Sequence, residues 1–201
     1  MTKPLIIGIN GSPRKNGSTA KLLKRALKSI EKYGGKIYTL HLIDKKIKPC
    51  LGHYSTDSEL CRYPCKVKDD MQRIYSLLIK ADGIIFASPV YWFNVSGLMK
   101  NFLDRLTCLE ESGFYLEGKV AGFVVSLEES GAISTLSTMV IIALNHGMIV
   151  PPYSIVYCFS DKRKNLEWNK RNLELLGKNM LVAVKAQKYL EESCLHPWDY
   201  T

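Results

Sequence analysis

Short apolar runs alternate along this chain with longer segments in which apolar residues recur at helical spacing. Continuous apolar runs bounded by turn residues predict strands buried on both faces, whereas apolar residues at every third or fourth position predict amphipathic helices. The predicted strands are 5–10, 36–43, 83–88, 119–127 and 153–159. The predicted helices are 18–33, 69–81, a helix that starts at Ser96, 133–146 and 166–192.

This alternation predicts an α/β fold in which helices cover both faces of one parallel sheet. Because crossover connections are right-handed, the strand–helix units form an open, doubly wound, three-layer, five-stranded sheet. We expect a single domain over residues 1–201, with a cysteine-containing loop inserted at 44–68 and a tail at 193–201. Ligands of such sheets bind beyond the carboxyl ends of the strands, so the loops after strands one, three and four are the expected site.

The composition is that of an ordinary globular protein. The 201 residues are 46% hydrophobic and 23% charged, which excludes a disordered chain. No apolar run approaches the roughly 20 residues of a membrane span, and the N-terminal apolar stretch is too short for a signal peptide. We therefore expect a soluble cytoplasmic protein without a membrane partner, whose cysteines are thiols or ligands rather than a disulfide framework.

Positive charge is concentrated at the start of the chain. There are 28 basic and 19 acidic residues, a net charge of +9, and residues 1–50 hold 12 basic and 2 acidic ones. Nucleic-acid-binding proteins are one class with such a basic region. However, no aromatic residues are interleaved with the charges, and the helix positions Lys21, Lys24, Arg25, Lys28 and Lys32 have the spacing of one solvated face. We expect a basic surface that favours anionic small molecules, and no nucleic-acid partner.

The loop after the first strand is rich in anion-binding groups. It reads GSPRKNGST and leads directly into a helix, whose free N–H groups and positive dipole end attract anions. Hydroxyl groups and a guanidinium add donors, and two glycines let the backbone approach phosphate oxygens closely. Neither a P-loop ending nor a G-x-G-x-x-G motif is present. The segment therefore predicts a terminal phosphate held by small donors, and the candidate residues are Ser12, Arg14, Gly17, Ser18 and Thr19.

Three consecutive aromatic residues, Tyr91, Trp92 and Phe93, follow the third strand. Such a run is unusual for a loop in water, and a planar cofactor ring needs a flat apolar wall with backbone polar groups at its edge. Pro89 stiffens the loop and directs it away from the sheet. On the helix that follows, Lys100 and Asp104 have the spacing of an ion pair between successive turns.

Both segments resemble one family. GSPRKNGST, together with residues 88–105 of the form S-P-x-Y-W-x-x-x-S-G-x-x-K-x-F-x-D-R, is similar to the NAD(P)H-dependent FMN reductases of the flavodoxin-like superfamily, which include iron-sulfur flavoproteins. The resemblance covers residues 4 to about 150 and implies a flavodoxin-like sheet of strand order 2-1-3-4-5. It implies that FMN binds with its phosphate among Ser12, Arg14, Asn16, Ser18 and Thr19, and its ring against Pro89, Val90, Tyr91, Trp92, Phe93 and Asn94.

The loop after the fourth strand completes the implied site. The family has small residues here, beside the pyrimidine edge of the flavin, and the resemblance assigns this position to Ser126 and Gly131. Glu128 and Glu129 lie between them, and we expect solvated carboxylates, with hydrogen bonds to ring N3–H or to flavin hydroxyls as the alternative. The resemblance also implies a flavin site at a subunit interface and therefore a homodimer or homotetramer, in which some aromatic residues contact the partner.

The 44–68 loop contains Cys50, Cys61 and Cys65. Iron-sulfur flavoproteins carry a compact run of four cysteines in this loop, which ligates a [4Fe–4S] cluster. This chain matches only in part, because it has three cysteines and places His53 after Gly52 where Gly-Cys is common. Cys/His sets also hold zinc, but the gap between Cys50 and Cys61 is poor for a zinc knuckle. We expect no metal, and we expect buried thiols at the remaining positions Cys108, Cys158 and Cys194.

These observations together favour an FMN-dependent oxidoreductase. The resemblance implies that it takes hydride from NAD(P)H and passes electrons to a flavin, a quinone, a nitro or azo compound, or a protein. The cofactor supplies this chemistry, so we assign no catalytic side chain. The alternatives are a flavodoxin-type electron carrier, which the basic charge disfavours, an iron-sulfur flavoprotein, a nucleic-acid-binding protein and a flavodoxin-like interaction protein without activity.

Overall fold

Parallel strands form the central sheet of the structure, a computed structural model that describes residues 2–160 and 166–192. The strands are β1 (Leu5–Asn10), β2 (Lys36–His41), β3 (Gly83–Tyr91), β4 (Asn94–Val95), β5 (Val120–Leu127) and β6 (Ile155–Phe159). The helices are α1 (Ser18–Lys32), α2 (His53–Thr56), α3 (Met71–Lys80), α4 (Gly97–Asp104), α5 (Thr107–Glu111), α6 (Ala132–Asn145) and α7 (Leu166–Glu192). The predicted tail at 193–201 and the thiol of Cys194 lie outside the described residues.

The order of the strands in the sheet is β2-β1-β3-β5-β6. All of these neighbours pair in parallel, and the two-residue strand β4 pairs antiparallel with the end of β3. The prediction did not include the short strand β4, so its fourth and fifth strands are β5 and β6 here. The predicted order 2-1-3-4-5 and the predicted doubly wound α/β fold are therefore confirmed. The strand order reverses between β1 and β3, which places the expected ligand crevice at the carboxyl ends of these two strands.

Two helical layers cover the sheet, because successive side chains of each strand point to opposite faces. On one face α1 and α7 pack against Ile6, Ile85 and Val124. On the other face α3, α4 and α6 pack against alternating residues such as Ile7, Ile84 and Phe123. The inner strands β1, β3 and β5 are therefore buried on both sides over most of their length, and their sequences are continuous apolar runs rather than alternating ones. The edge strands β2 and β6 are only partly buried.

Helix α1 lies very close to β1. A Cβ atom on Gly8 would stand 2.8 Å from Leu27 Cδ1 and 2.9 Å from Leu23 Cδ1, so only glycine leaves room for the helix. The buried face of α1 thereby fixes the start of the helix just beyond the end of β1. Its outer face carries the predicted basic row, all of whose members are exposed: Lys21, Lys24, Arg25, Lys28 and Lys32.

Strand β3 is longer than the predicted strand 83–88, and that predicted boundary was wrong. Pro89 does not end the strand, because β1 pairs with β3 only as far as Ala87 and the ladder beyond it runs to β5. A proline is tolerated in a strand where its missing N–H faces no partner strand. The extension carries Tyr91 past the sheet edge and into the turn that leads to β4.

A buried ion pair ties the end of α4 to the loop that precedes α3. The Arg105 guanidinium donates to both carboxylate oxygens of Asp69, at 2.5 and 3.3 Å, and to the carbonyl oxygens of Lys48 and Val67. Burial alone would raise the pKa of Asp69, but hydrogen bonds from Arg105 and from the backbone N–H groups of Lys48 and Met71 hold that pKa below its usual value. The predicted pair of Lys100 with Asp104 is also present, at 2.5 Å on the surface of α4.

None of the described helices combines the length and the apolar character that crossing a bilayer requires.

His146, at the end of α6, is the basis of a pH prediction. It is 4% exposed, and within residues 2–160 and 166–192 its Nδ1 atom has no hydrogen-bond partner. Desolvation lowers the pKa of His146 to about 4, below the ordinary value near 6.5. Between these values the unfolded chain binds a proton that the folded chain does not, so stability falls as the pH falls.

Lowering the pH from about 7.5 to about 4.5 is expected to reduce the free energy of unfolding of both proteins. We expect the reduction to be about 2 kcal/mol larger for wild type than for His146→Gln. Urea unfolding at both pH values measures this difference. The partly exposed His53 provides the control, and His53→Gln is expected to keep the wild-type pH dependence. Equal pH dependence in wild type and His146→Gln would show that His146 is not held neutral by burial.

Candidate functional site

The three predicted loops meet at the carboxyl edge of the sheet and line one cavity of about 450 Å³. Cavities of roughly 300–1,000 Å³ are the size that holds small molecules and cofactors. Most of the predicted site residues lie on its wall: Ser12, Arg14, Ser18, Thr19, Pro89, Val90, Tyr91, Trp92, Phe93 and Ser126. Asn16, Gly17, Asn94 and Gly131 are predicted site residues that do not line it.

Hydrogen-bond donors line one part of the cavity. Gly17 caps α1 without a side-chain hydrogen bond, so the first-turn N–H groups of the helix are not used by a capping side chain. Ser18 and Thr19, in that first turn, line the cavity together with Ser12 and Arg14. Hydroxyls, a guanidinium and a helix N-terminus form a donor set that suits a phosphate dianion.

The residues that shape this loop are buried beneath it. Asn10, at the end of β1 and fully buried, accepts a hydrogen bond from the Ser12 N–H at 3.1 Å, and Ser12 Oγ accepts one from the Arg14 N–H. Gly17 fits tightly, since a Cβ there would lie 3.1 Å from Arg14 Cβ. Gly17 therefore shapes the turn, while the side chain of Asn16 is exposed. Asn10 was missed in the sequence, although a polar residue ending a buried apolar run is a visible signal.

Another part of the cavity wall contains three aromatic residues, of which Tyr91 ends β3 and the other two form a hairpin turn. Tyr91 pairs with Asn94 across the β3–β4 ladder, and Trp92 and Phe93 form the turn between them. Both turn residues have left-handed backbone conformations, with φ of 49° and 65°. For bulky residues such conformations cost about 1–3 kcal/mol each and persist only where the surroundings enforce them. Trp92 is 93% exposed, so its ring is available to a ligand or a partner.

Asn94 faces helix α6 rather than the cavity. Its Oδ1 accepts a hydrogen bond from the Val95 N–H at 2.7 Å and lies 2.9 Å from the hydroxyl of Thr138. The side chain of Asn94 thus holds the end of the hairpin, while the wall itself consists of Pro89, Val90 and the aromatic residues.

The third side of the cavity is the loop after β5. Glu128, Glu129 and Ser130 line the cavity and are exposed, so the carboxylates that we expected to be solvated are also part of its wall. Gly131 lies behind them with φ of 88°, where a Cβ would stand 2.9 Å from Phe93 Cα. Gly131 therefore allows this loop to pack against the aromatic turn. Sequence reasoning also missed Leu127 and Ser160, which line the same side.

Side-chain hydrogen bonds tie the loops to one another. Ser96 Oγ donates to the Gly11 carbonyl oxygen at 2.6 Å and accepts from the Met99 N–H, which caps α4. The Ser96 N–H donates to the hydroxyl of Ser88, so the loops after β1 and β3 are joined. The hydroxyls of Thr19 and Ser126 lie 2.6 Å apart, and this buried contact joins the first turn of α1 to the end of β5.

The cysteine loop forms a second, much smaller cavity of about 20 Å³, large enough for about one water molecule. Its lining includes Cys50, His53, Cys61 and Cys65 from the loop and the buried Cys108 from α5. Burial raises the pKa of Cys61, and the neighbouring Cys50, Glu111 and Cys65 raise it further, which favours a protonated thiol over a thiolate ligand. In the part of the chain that the structure describes, no three His, Cys, Asp or Glu side chains are grouped so that they could hold a metal.

This arrangement does not fit a [4Fe–4S] cluster held by four thiolates. The loop supplies too few cysteines, and the Arg105 side chain lines the same cavity, with its Nη2 3.6 Å from Cys65 Sγ. The absence of a metal stays a prediction. Of the remaining thiols, Cys108 and Cys158 are buried, as predicted.

Comparison with known proteins shows similarity to flavoproteins. Residues 4–160 match the family model of the NADPH-dependent FMN reductases. An iron-sulfur flavoprotein of Methanocaldococcus jannaschii is 36% identical over 149 residues, which cover 72% of this chain and 74% of that protein. An iron-sulfur flavoprotein of Archaeoglobus fulgidus is 39% identical over 119 residues, 59% of this chain. The chain spans 52% of the length of that relative.

A solved structure with the same fold is that of RosB with a bound intermediate. It superposes with a TM-score of 0.77 at 18% identity, covering 98% of this chain and 83% of that one. At this identity the similarity supports the flavodoxin-like fold alone.

Replacement of Ser96 tests the connection between the first two loops. We expect Ser96→Ala to lower the free energy of unfolding by about 2 kcal/mol, because it removes a helix cap and leaves the buried Gly11 carbonyl without that donor. Urea unfolding measures the loss. Ser137→Ala, at an exposed position of α6, is the control and is expected to change stability by less than about 0.5 kcal/mol. If Ser96→Ala lowers the free energy of unfolding no more than Ser137→Ala does, the Ser96 hydrogen bond does not stabilise the fold.

Proposed function

The chain belongs to the NADPH-dependent FMN reductase family, and on this basis we propose that it is an FMN-dependent oxidoreductase. It takes electrons from NAD(P)H and passes them to a second acceptor. The observation that carries the proposal is a single cavity that is lined both by phosphate-type donors and by an aromatic wall. A mononucleotide with a flat ring has this same division between a dianionic tail and a planar head.

The phosphate end of the ligand is bound by α1 and the loop before it. Ser12, Ser18 and Thr19 offer hydroxyl donors, and the first-turn N–H groups of α1 add to them. Arg14 supplies the positive charge, and because its side chain is exposed it remains free to turn toward the phosphate. The basic outer face of α1 adds a long-range attraction for anionic ligands.

The ring end is bound by the wall from Pro89 to Phe93. When bound, FMN would accept a hydride from NAD(P)H and release the electrons to the acceptor, so the protein needs no acid–base side chain of its own. The residues of the wall orient the ring and exclude water from one of its faces. We propose that the acceptor is a flavin, a quinone, a nitro or azo compound, or a protein, and that it approaches at the exposed aromatic turn.

Titration of ligand-free protein with FMN tests the proposal. We expect one FMN per chain at micromolar concentrations or below, and a visible flavin band that bleaches when NADPH or NADH is added without air. Arg14→Ala is expected to weaken FMN binding by about tenfold, the effect of one charge-assisted hydrogen bond. Lys21→Ala removes the same charge from the outer face of α1 and is expected to change affinity by less than about twofold.

A folded protein that refuses FMN would contradict the proposal, and equal affinities for Arg14→Ala and Lys21→Ala would contradict the assigned phosphate end. Iron and acid-labile sulfide are measured in the same preparation. Stoichiometric amounts of both, with a broad brown absorbance, would instead support the second candidate, an iron-sulfur flavoprotein like the curated relatives.

We also propose that two or more copies of the chain associate through the outer face of α6. Ile133, Ile141 and Leu144 lie on this face and are 70%, 64% and 55% exposed. They recur at helical spacing, and the first turn of the same helix contacts the aromatic turn that lines the cavity, so these apolar side chains lie on the helix next to that turn. A second copy on this surface would cover Trp92 and the mouth of the site.

Light scattering during gel filtration tests the association. Wild type is expected to show at least twice the chain mass of 22.8 kDa, and Ile141→Glu to shift toward the single chain, because a carboxylate would be buried in an apolar contact. Lys185→Glu on α7 also introduces a carboxylate at an exposed position, on the opposite face of the sheet, and is expected to keep the wild-type mass. A monomeric wild type, or an unaffected Ile141→Glu variant, would contradict this interface.

A further inference from the structure

The turn that presents Trp92 and Phe93 is not favoured by its own sequence. A two-residue hairpin turn with positive φ at both positions is the geometry preferred by Asn-Gly, because these residues tolerate left-handed backbone. This chain places two large aromatic residues there, at φ of 49° and 65°. The conformation must therefore be held by contacts from outside the hairpin.

Those contacts come from the first turns of α6. The hydroxyl of Ser134 donates to the carbonyl oxygen of Phe93, the second turn residue. One turn further along the helix, the hydroxyl of Thr138 lies 2.9 Å from Asn94 Oδ1. The two hydroxyls are four residues apart, so they lie on the same face of α6 and act on consecutive residues of the hairpin.

Gly131, next to the start of α6, brings the two elements together. A Cβ atom at Gly131 would stand 2.9 Å from Phe93 Cα and 2.9 Å from Val90 Cγ1. The absence of a side chain lets the loop after β5 press directly on the backbone of the aromatic turn. Backbone contact at Gly131 and hydroxyl contacts at Ser134 and Thr138 thus converge on five residues of chain, from Val90 to Asn94, that include most of the ring wall.

Both hydroxyls also have a second partner within their own helix. Ser134 Oγ lies 3.1 Å from the Gly131 carbonyl oxygen, and Thr138 Oγ1 lies 3.0 Å from the Ser134 carbonyl oxygen. If the turn relaxes, each hydroxyl can donate to that helix carbonyl and stays satisfied. Their contacts to the hairpin therefore contribute little to the stability of the fold, and their effect is on the conformation of the turn.

We infer that Ser134 and Thr138 are positioning residues for the cofactor ring: they hold the Trp92–Phe93 turn in its left-handed conformation and thereby set the affinity for FMN. Neither residue is among those that line the cavity. The inference rests on the proposed function, because it concerns the ring end of the same site. Hydroxyls outside the cavity thus determine part of the affinity of the protein for the FMN ring.

The test is FMN affinity in apo-protein variants of the full chain, measured by quenching of flavin fluorescence. Ser134→Ala and Thr138→Val are each expected to raise the Kd for FMN by about fivefold, the typical effect of one hydrogen bond. Ser134→Thr and Thr138→Ser keep the hydroxyls and are expected to restore wild-type affinity within about twofold. Ser76→Ala removes an exposed hydroxyl of α3 that likewise contacts a carbonyl of its own helix, and it is the matched control with unchanged affinity.

A double-mutant cycle separates positioning from a general loss of structure. In a Phe93→Gly background the second turn residue tolerates positive φ without help, so Ser134→Ala is expected to change the Kd by less than about twofold there. Thermal unfolding of the ligand-free variants is measured alongside. Midpoints close to wild type are expected, because the hydroxyls keep their helix partners.

The outcomes distinguish the two levels of the proposal. If wild type binds no FMN, the proposed function fails. If wild type binds FMN and neither Ser134→Ala nor Thr138→Val weakens it, the positioning role is overturned. An equal effect of Ser134→Ala in the wild-type and Phe93→Gly backgrounds would also overturn it, because the hydroxyl would then act by some route other than the turn. If an alanine or valine variant does not fold, the Ser134→Thr and Thr138→Ser variants and the remaining single variant decide.

Discussion

Hydrogen bonds at the carboxyl edge of the sheet are the constraint on which this site depends. Ser96, which caps α4, joins the start of that helix to the loop after β1 through the Gly11 carbonyl. Thr19, in the first turn of α1, joins that helix to the end of β5 through Ser126. Ser134, in the first turn of α6, joins that helix to the aromatic turn. Side-chain hydrogen bonds thus connect the elements that surround the cavity.

Two kinds of chemistry line the cavity. Helix α1 brings its N-terminus to it, because Gly8 lets the helix lie close to β1. Strand β3 brings aromatic side chains to it, because the strand continues past Pro89 and turns back only at Trp92 and Phe93. The polar and the apolar parts of a mononucleotide are thus met by different elements of the same sheet edge.

Much of the fold could be predicted from the sequence because the inner strands are continuous apolar runs and helices such as α1 and α3 have a regular apolar stripe. The helix at α1 begins at Ser18, where the pattern predicted it. The extension of β3 could not be predicted. It depends on whether a neighbouring strand needs the N–H group that Pro89 lacks, and this is decided by how the strands pair in the sheet. The five-residue helix α5 was also missed, because it is too short for a periodic signal.

The same distinction applies to the site. Residues such as Ser12, Thr19 and Tyr91 carry their chemistry in the sequence, and strand order alone brings them together at one edge. Other residues act through single contacts that no local pattern encodes. Those of Ser96, Ser134 and Thr138 reach residues 41 or more positions away in the chain. That of Asn10 lies inside a buried turn. The loop that holds Cys50, Cys61 and Cys65 differs from a cluster-binding loop in the number of its cysteines, and among the described residues no three His, Cys, Asp or Glu side chains are grouped to hold a metal.

A crystal structure of the protein grown with FMN is the most direct measurement of how the site works. We expect the phosphate within hydrogen-bonding distance of the first-turn N–H groups of α1 and the hydroxyls of Ser12, Ser18 and Thr19, with the ring against the wall from Pro89 to Phe93. Flavin density outside this cavity, or a phosphate placed at the aromatic turn, would contradict a site built from the three connected loops.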